Sequence, residues 1–296
     1  MRGWLAALWC AAALGLTAGC TDALPEGVDG NLTDGWAPPP PAVQWRPLNA
    51  QCFDDLPETT SPETYAPIDC RQRHMAETYW VGDLSGAAAR PDANQGMAGA
   101  ARVTAYRECS RRGDGFLGGA WRASRVVVQF VLPDKVGWDA GARWFRCDVA
   151  ESDDDGALVG REGSLRGALA GDSELRLGCF NPTIDGDSVR AVASVDCDRA
   201  HHAEFVGLWT APPMPYARLQ GSLELSRGCL SAIARYTNVP DDGMMKYRTG
   251  WLGFPGTEAA WSAGDRTVQC FLWLAGETIK GSYQGVGPTK LKIHYA

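Results

Sequence analysis

The chain has 296 residues, with 28 basic against 35 acidic side chains and a net charge of −7. No basic patch stands out, which argues against a nucleic-acid partner, and a net negative chain gains no attraction from anionic lipid headgroups. Five of the basic residues are Lys and 23 are Arg, and with the abundance of Ala and Gly this is the usage of a GC-rich genome, actinobacterial or proteobacterial.

Residues 1–19 read as a bacterial lipoprotein signal peptide. Arg2 gives a short positive start, Gly3 to Leu16 is mostly apolar, and Leu16-Thr17-Ala18-Gly19-Cys20 resembles a lipobox, with Thr17 where Leu is usual. The apolar stretch is shorter than the roughly 20 residues that span a bilayer, and no later run approaches that length. Membrane attachment is therefore expected through acyl chains on Cys20, and stable anchoring takes about two chains. Residues 20–47 hold Cys20 and a Pro-rich tether with Pro25, the run Pro38 to Pro41, and Pro47. Such a segment cannot bury enough surface to offset its ordering entropy. It is expected to lift the folded part off the outer face of the cell membrane.

Beyond the tether the chain repeats itself. Cys52 is followed after 18 residues by Cys70, then by His74 and Glu77; Cys179 is followed after 18 residues by Cys197, then by His201, His202 and Glu204. Each set leads to a further unit, Cys109 … Trp138 … Gly141 … Cys147 and Cys229 … Trp261 … Gly264 … Cys270. An internal duplication follows, with module 1 over 48–170 and module 2 over 171–296, each of ordinary domain size. Eight cysteines in an exported chain most simply form disulfides, and about 105 pairings exist in principle. A duplicated pattern favours sequential pairs: Cys52–Cys70, Cys109–Cys147, Cys179–Cys197 and Cys229–Cys270. Zinc held by Cys197, His201 and His202 is the rival, but zinc ligands usually come in pairs two to four residues apart. No metal or other cofactor is expected.

Local patterns suggest α+β modules. Val189, Ala191, Ala193, Val195 and Cys197 alternate with polar residues, the period of a strand with one buried face. Glu204 to Trp209 reads as the return strand of a hairpin with it, and Ile68–Cys70 with Thr78–Val81 takes the same places in module 1. Glu77 and Glu204 would then face away from His74 and His201. Leu225, Cys229, Ala232, Ile233 and Tyr236 share one helical face, as do Ala98, Ala101, Ala105 and Cys109. Gly113, Gly115, Gly118 and Gly119 read as a flexible break. Arg266 to Trp273 reads as a strand, stapled to the helix by the second disulfide. Each module is thus an antiparallel hairpin or small sheet with one packed helix.

These residues resemble the septum-formation family of actinobacterial envelope proteins, in two tandem copies. Cys52, Cys70, His74, Glu77, Trp138, Gly141, Arg143 and Cys147 carry the first match; Cys179, Cys197, His201, Glu204, Trp261, Gly264, Arg266 and Cys270 carry the second. The usual Pro before the His is replaced by Arg73 and by Ala200. The resemblance implies a link to division or envelope growth and no defined reaction.

The expected function is a non-enzymatic, membrane-anchored envelope module that binds a protein or a cell-wall component. His74, Glu77, His201, His202 and Glu204 are the candidate partner or ligand surface. A hydrolase or metal enzyme built on His74/Glu77 or His201/Glu204 is the first alternative. The residue types suit acid–base work, yet no Gly-x-Ser-x-Gly, Ser-x-x-Lys or His-Glu-x-x-His motif accompanies them. An extracytoplasmic sensor component, with the histidines as a pH switch, is the second. The run Asp153-Asp154-Asp155 lacks calcium-loop spacing and reads as a solvated turn.

Overall fold

Two helices, each with one apolar face, lie on two largely antiparallel sheets, and a disulfide ties each helix to its sheet. The computed structural model describes residues 44–294 apart from 187 and 275. The expected signal peptide, the expected lipid-attachment residue Cys20 and most of the expected tether lie outside the described residues. From Gln44 onward the chain forms one unit.

The first sheet holds β1 (Cys52–Phe53), β2 (Thr59–Thr60), β3 (Ala76–Asp83), β4 (Val126–Pro133), β5 (Trp144–Ser152) and β6 (Leu158–Val159). Its order is β1-β3-β5-β4-β2, with β6 paired to β5. Helix α1 (Ala100–Leu117) buries Ala101, Ala105 and Cys109 against it, and α2 (Lys135–Asp139) turns the chain from β4 into β5. Small residues on α1 let the helix approach closely. Strand β5 lies between β3 and β4 and is buried from Trp144 to Ala150.

The second sheet holds β7 (Cys179–Asp185), β8 (Ser188–Val195), β9 (Ala203–Thr210), β10 (Gly250–Pro255) and β11 (Thr267–Trp273), in the order β10-β11-β9-β7-β8. The helices are α3 (Tyr216–Leu219), α4 (Leu223–Thr237), α5 (Glu258–Ser262) and α6 (Gly287–Lys290). Leu225, Cys229, Ala232 and Ile233 of α4 are buried at the spacing of one helical face. Each large aliphatic side chain there contributes roughly 1.5–3 kcal/mol. The Ser222 hydroxyl caps the helix by accepting from Leu225 N–H, and Asn238 closes it in the left-handed region at φ +57°.

The disulfides join Cys52 to Cys70, Cys109 to Cys147, Cys179 to Cys197 and Cys229 to Cys270, each with Cα atoms 5.2 Å apart. The second and fourth link α1 to β5 and α4 to β11.

Three local expectations are corrected. Strand β8 pairs with β7 and not with β9; β9 pairs with β11 and, over Phe180 and Cys179, with β7. Asp185 pairs with Ser188, and the chain turns between them at Gly186, φ +59°, to close the β7–β8 hairpin. The small side chains of β8 leave it at the sheet edge, exposed or half-buried throughout, so its alternation marks no buried face. In the first sheet Ile68 makes only an isolated bridge to Cys52, and β3 pairs with β1 and β5. Finally, Gly113 and Gly115 lie inside α1, which ends at Gly118. The sheets, of six and five strands, are also larger than a hairpin with one added strand, because β4 and β10 follow the helices.

Candidate functional site

The repeated His and Glu residues face inward. His74, just before β3, exchanges both main-chain hydrogen bonds with Arg161, each 2.9 Å, and His201 does the same with Ile279 at 3.0 and 2.7 Å. Each ring Nδ1 lies 2.8 Å from a carbonyl oxygen, of Gln72 and of Arg199. A carbonyl can only accept, so each Nδ1 carries a proton and donates. Neither Nε2 has a hydrogen-bond partner among the described residues, and both rings are enclosed, at 1% and 0% exposure.

The glutamates hold turns. Glu77 accepts from Ser164 Oγ at 2.7 and 2.9 Å and from Leu165 N–H at 2.8 Å. Glu204 accepts from Ser282 Oγ, from Tyr283 N–H at 2.8 Å and from Tyr236 OH at 2.6 Å. The turns share a pattern, Gly163-Ser164-Leu165 with Gly167 and Gly281-Ser282-Tyr283 with Gly285, and all four glycines sit at positive φ between 66° and 78°. Burial and the bond to Glu204 raise the Tyr236 phenol.

The candidate surface formed by these residues is therefore corrected. Glu77 and Glu204 are buried as well, at 8% and 2% exposure. His202 alone stays half-exposed, with Nδ1 3.0 Å from the Glu277 carbonyl oxygen. Cys179, Cys197 and Glu204 bring three ligand-type atoms within 4.8 Å of one another, but both sulfurs belong to one disulfide and offer no thiolate. Trp138 and Trp261 also pack inward. Their indole N–H groups donate to the Pro91 and Met214 carbonyls, each at 2.7 Å, and the Arg143 and Arg266 guanidinium groups lie on their rings at 4.1 and 4.4 Å.

The two sheets meet around Asp265. Its carboxylate accepts from Tyr106 OH and Arg122 Nε, both at 2.6 Å, and from Thr267 N–H at 3.0 Å. Arg107 Nε donates to the Ala263 carbonyl at 2.8 Å, and Gln269 Nε2 to the Arg122 carbonyl at 2.7 Å. Burial first, and the bond to Asp265, push the Tyr106 phenol up to about 12. Burial pulls the Asp265 carboxyl up, but the bonds from Tyr106, Thr267 and Arg122 outweigh it and hold it below the usual carboxylate range.

Beside this junction lies a cleft of about 430 Å³. Its floor is the face of the second sheet opposite α4. Phe271 sits at the centre, 5.4 Å edge-on from each of Phe180, Phe205 and Phe254. One wall is β8 from Val189 to Val192, and the other is the turn from Ser152 to Asp155 that follows β5. The corresponding face of the first sheet is closed. There Arg146 donates twice to Asp148, Thr78 Oγ1 donates to the other Asp148 oxygen, and Phe53 lies 4.2 Å from the guanidinium. The residues flanking the matching cysteine of β11 are Gln269 and Phe271, which stand in place of that ion pair. At the cleft wall Asp154 accepts from Ser194 N–H at 2.7 Å and faces Arg125 at 3.8 Å. Asp153 accepts from Asp155 and Ala157 N–H and so builds its own turn. The sequence pointed to this turn as solvated; that it forms the wall of an aromatic-floored cleft needs the packing of the two sheets.

A family model described as septum formation matches residues 49–270. No curated protein and no solved structure matches the chain. No helix among the described residues is long and apolar enough to cross a membrane.

Proposed function

The chain belongs to the septum-formation family, and from that premise we propose that it is a non-enzymatic binding module of the cell envelope that serves division or wall growth. Four disulfides and the family support a place outside the cytoplasm. In this reading it is an actinobacterial lipoprotein held at the membrane through Cys20, carried on the tether of residues 20–47, and built as two tandem copies over 48–170 and 171–296. The recurrence of the His–Glu–Gly–Ser contacts around Glu77 and Glu204 supports the duplication.

One observation carries the binding role: the open aromatic cleft on the second sheet, set against a first sheet whose matching face is filled by Arg146 and Asp148. Concave, mostly apolar sites with a few polar groups at the rim are the usual form of a binding site. The partner is an envelope protein or a cell-wall component. A hydrolase or metal enzyme on His74/Glu77 or His201/Glu204 would need a substrate to reach groups that are enclosed and, in the glutamates, fully hydrogen-bonded. A sensor using those histidines would have to open the same interior. Crosslinking in intact cells followed by pull-down tests the binding role, and a tagged chain tests the division link. Even labelling of the whole membrane, without enrichment at midcell, rules out the link.

A further inference from the structure

The wall of the cleft is an open sheet edge. Strand β8 is the last strand of the second sheet, and among the described residues nothing pairs with its outer side except the Asp154 side chain at Ser194. Val192 stands opposite Pro182, which has no N–H to donate. The position is therefore a non-hydrogen-bonded one, and both main-chain groups of Val192 point away from β7. Ser194, two residues on, has the same orientation, and its N–H reaches Asp154 across the cleft. Open edges of this kind accept an added strand, with the main chain supplying attachment and pockets supplying selectivity.

The charges at the rim choose the partner. Arg190 is paired with Asp185 at 2.7 Å, and Arg125 faces Asp154. Asp153 holds the turn with its carboxylate, and Asp155 is exposed, its carboxylate accepting from no group among the described residues. Among the lining residues Asp153, Asp154 and Asp155 stand against Arg125 and Arg190, a net of −1, and Arg190 is already paired with Asp185 outside the lining. An anionic glycan would be repelled here, and an acyl chain would gain nothing from the carboxylates or from the edge.

Resting on the binding role above, we propose that the cleft takes an extended, basic segment of a partner protein as an added strand on β8. Its apolar side chains lie on the Phe254 and Phe271 floor, and a Lys or Arg reaches Asp155.

The test uses the whole mature chain and a short synthetic peptide of alternating valine and lysine, followed by fluorescence anisotropy. The same peptide with glutamate for lysine serves as the comparison. Saturable binding of the lysine peptide alone is expected. Asp155→Lys weakens it about tenfold or more, whereas Asp241→Lys, in a distant exposed loop, changes it by less than about twofold. Val192→Pro removes the outward N–H and abolishes binding; should that variant not fold, Asp155→Lys decides. Equal binding of both peptides, equal loss in Asp155→Lys and Asp241→Lys, or dimerisation of the chain through β8 overturns the assignment. A photo-reactive residue at position 189, used in intact cells, separates the two levels. A partner recovered by general crosslinking but never attached at position 189 overturns the cleft assignment and leaves the binding role standing. Recovery of no partner by either route removes the binding role itself.

Discussion

Glu77 and Ser164 are 87 residues apart in the chain and are joined by hydrogen bonds of 2.7 and 2.9 Å, with Leu165 N–H adding a third donor to the same carboxylate. The contact fastens the turn after β6 to the start of β3, and Glu204 fastens the Ser282 turn to the start of β9 in the same way. Both carboxylates are buried, so their hydrogen bonds are made with little competition from water.

Replacement of either glutamate tests this role. A buried, charge-assisted acceptor contributes about 1.5–3 kcal/mol, and its loss leaves the Leu165 or Tyr283 N–H with a weaker partner. Glu77→Gln and Glu204→Gln each lower stability by about 1–3 kcal/mol. Ser164→Ala, which removes one neutral donor, lowers it by about 1 kcal/mol. Urea unfolding of the three variants measures the order. A Glu77→Gln midpoint equal to that of the parent chain contradicts the fastening role.

The cysteine spacing, the two long helices and the strands after each Trp could be read from sequence because each follows from a local period or a fixed interval. The Gly-Ser turns could also have been found: Gly163-Ser164 and Gly281-Ser282 repeat with a glycine four residues on, a signal hidden by the different spacers between them and their glutamates. Strand β4 is legible in its run of Val126 to Leu132. The β7–β8 hairpin carried its own mark in Gly186, outweighed by an alternation that proved to lie on an edge strand. The cleft was not legible. It depends on which residue flanks a cysteine on each sheet, Asp148 in one case and Phe271 in the other, and on two sheets meeting at Asp265.

Removal of single disulfides ranks with the loops they close. In the chain-entropy account Cys179–Cys197, with a separation of 18, contributes about 3 kcal/mol and Cys229–Cys270, with a separation of 41, about 4 kcal/mol. Paired Cys→Ser substitutions are therefore expected to lower stability more at Cys229/Cys270. The same pair also leaves the apolar junction of α4 and β11 under-packed, which adds in the same direction. Denaturant unfolding of both double variants checks the ranking, and peptide mapping without reductant checks the pairing.

The junction of the two sheets is expected to weaken at both ends of the pH scale. The Asp265 carboxyl is held below its ordinary value, so its contribution is present above the pKa of the unfolded chain and is lost as pH falls through the lower folded value. Tyr106 is raised to about 12, so its contribution is complete below the ordinary phenol pKa and is lost as pH climbs through about 12. Thermal unfolding of the parent, Asp265→Asn and Tyr106→Phe across pH reads both limbs. Asp265→Asn flattens part of the acid limb, and Tyr106→Phe flattens part of the alkaline one. An acid limb unchanged in Asp265→Asn contradicts the first assignment.

Two helical glycines separate close packing from helix propensity. Alanine is favoured over glycine inside a helix by about 1 kcal/mol. At Gly115, in α1, an added Cβ meets nothing within 4 Å, so Gly115→Ala raises stability by about 0.5–1 kcal/mol, toward the low end because the helix ends at Leu117. At Gly228, in α4, the same atom overlaps the indole of Trp209, which β9 holds against the helix. Overpacking of this kind costs about 1–3 kcal/mol, and here it involves a rigid ring in place of a flexible chain end, so it exceeds the propensity gain. Gly228→Ala is therefore expected to lower stability by about 1–2 kcal/mol net, opposite in sign to Gly115→Ala. Paired denaturant curves give the answer directly, and a Gly228→Ala chain as stable as Gly115→Ala shows that α4 does not press on Trp209.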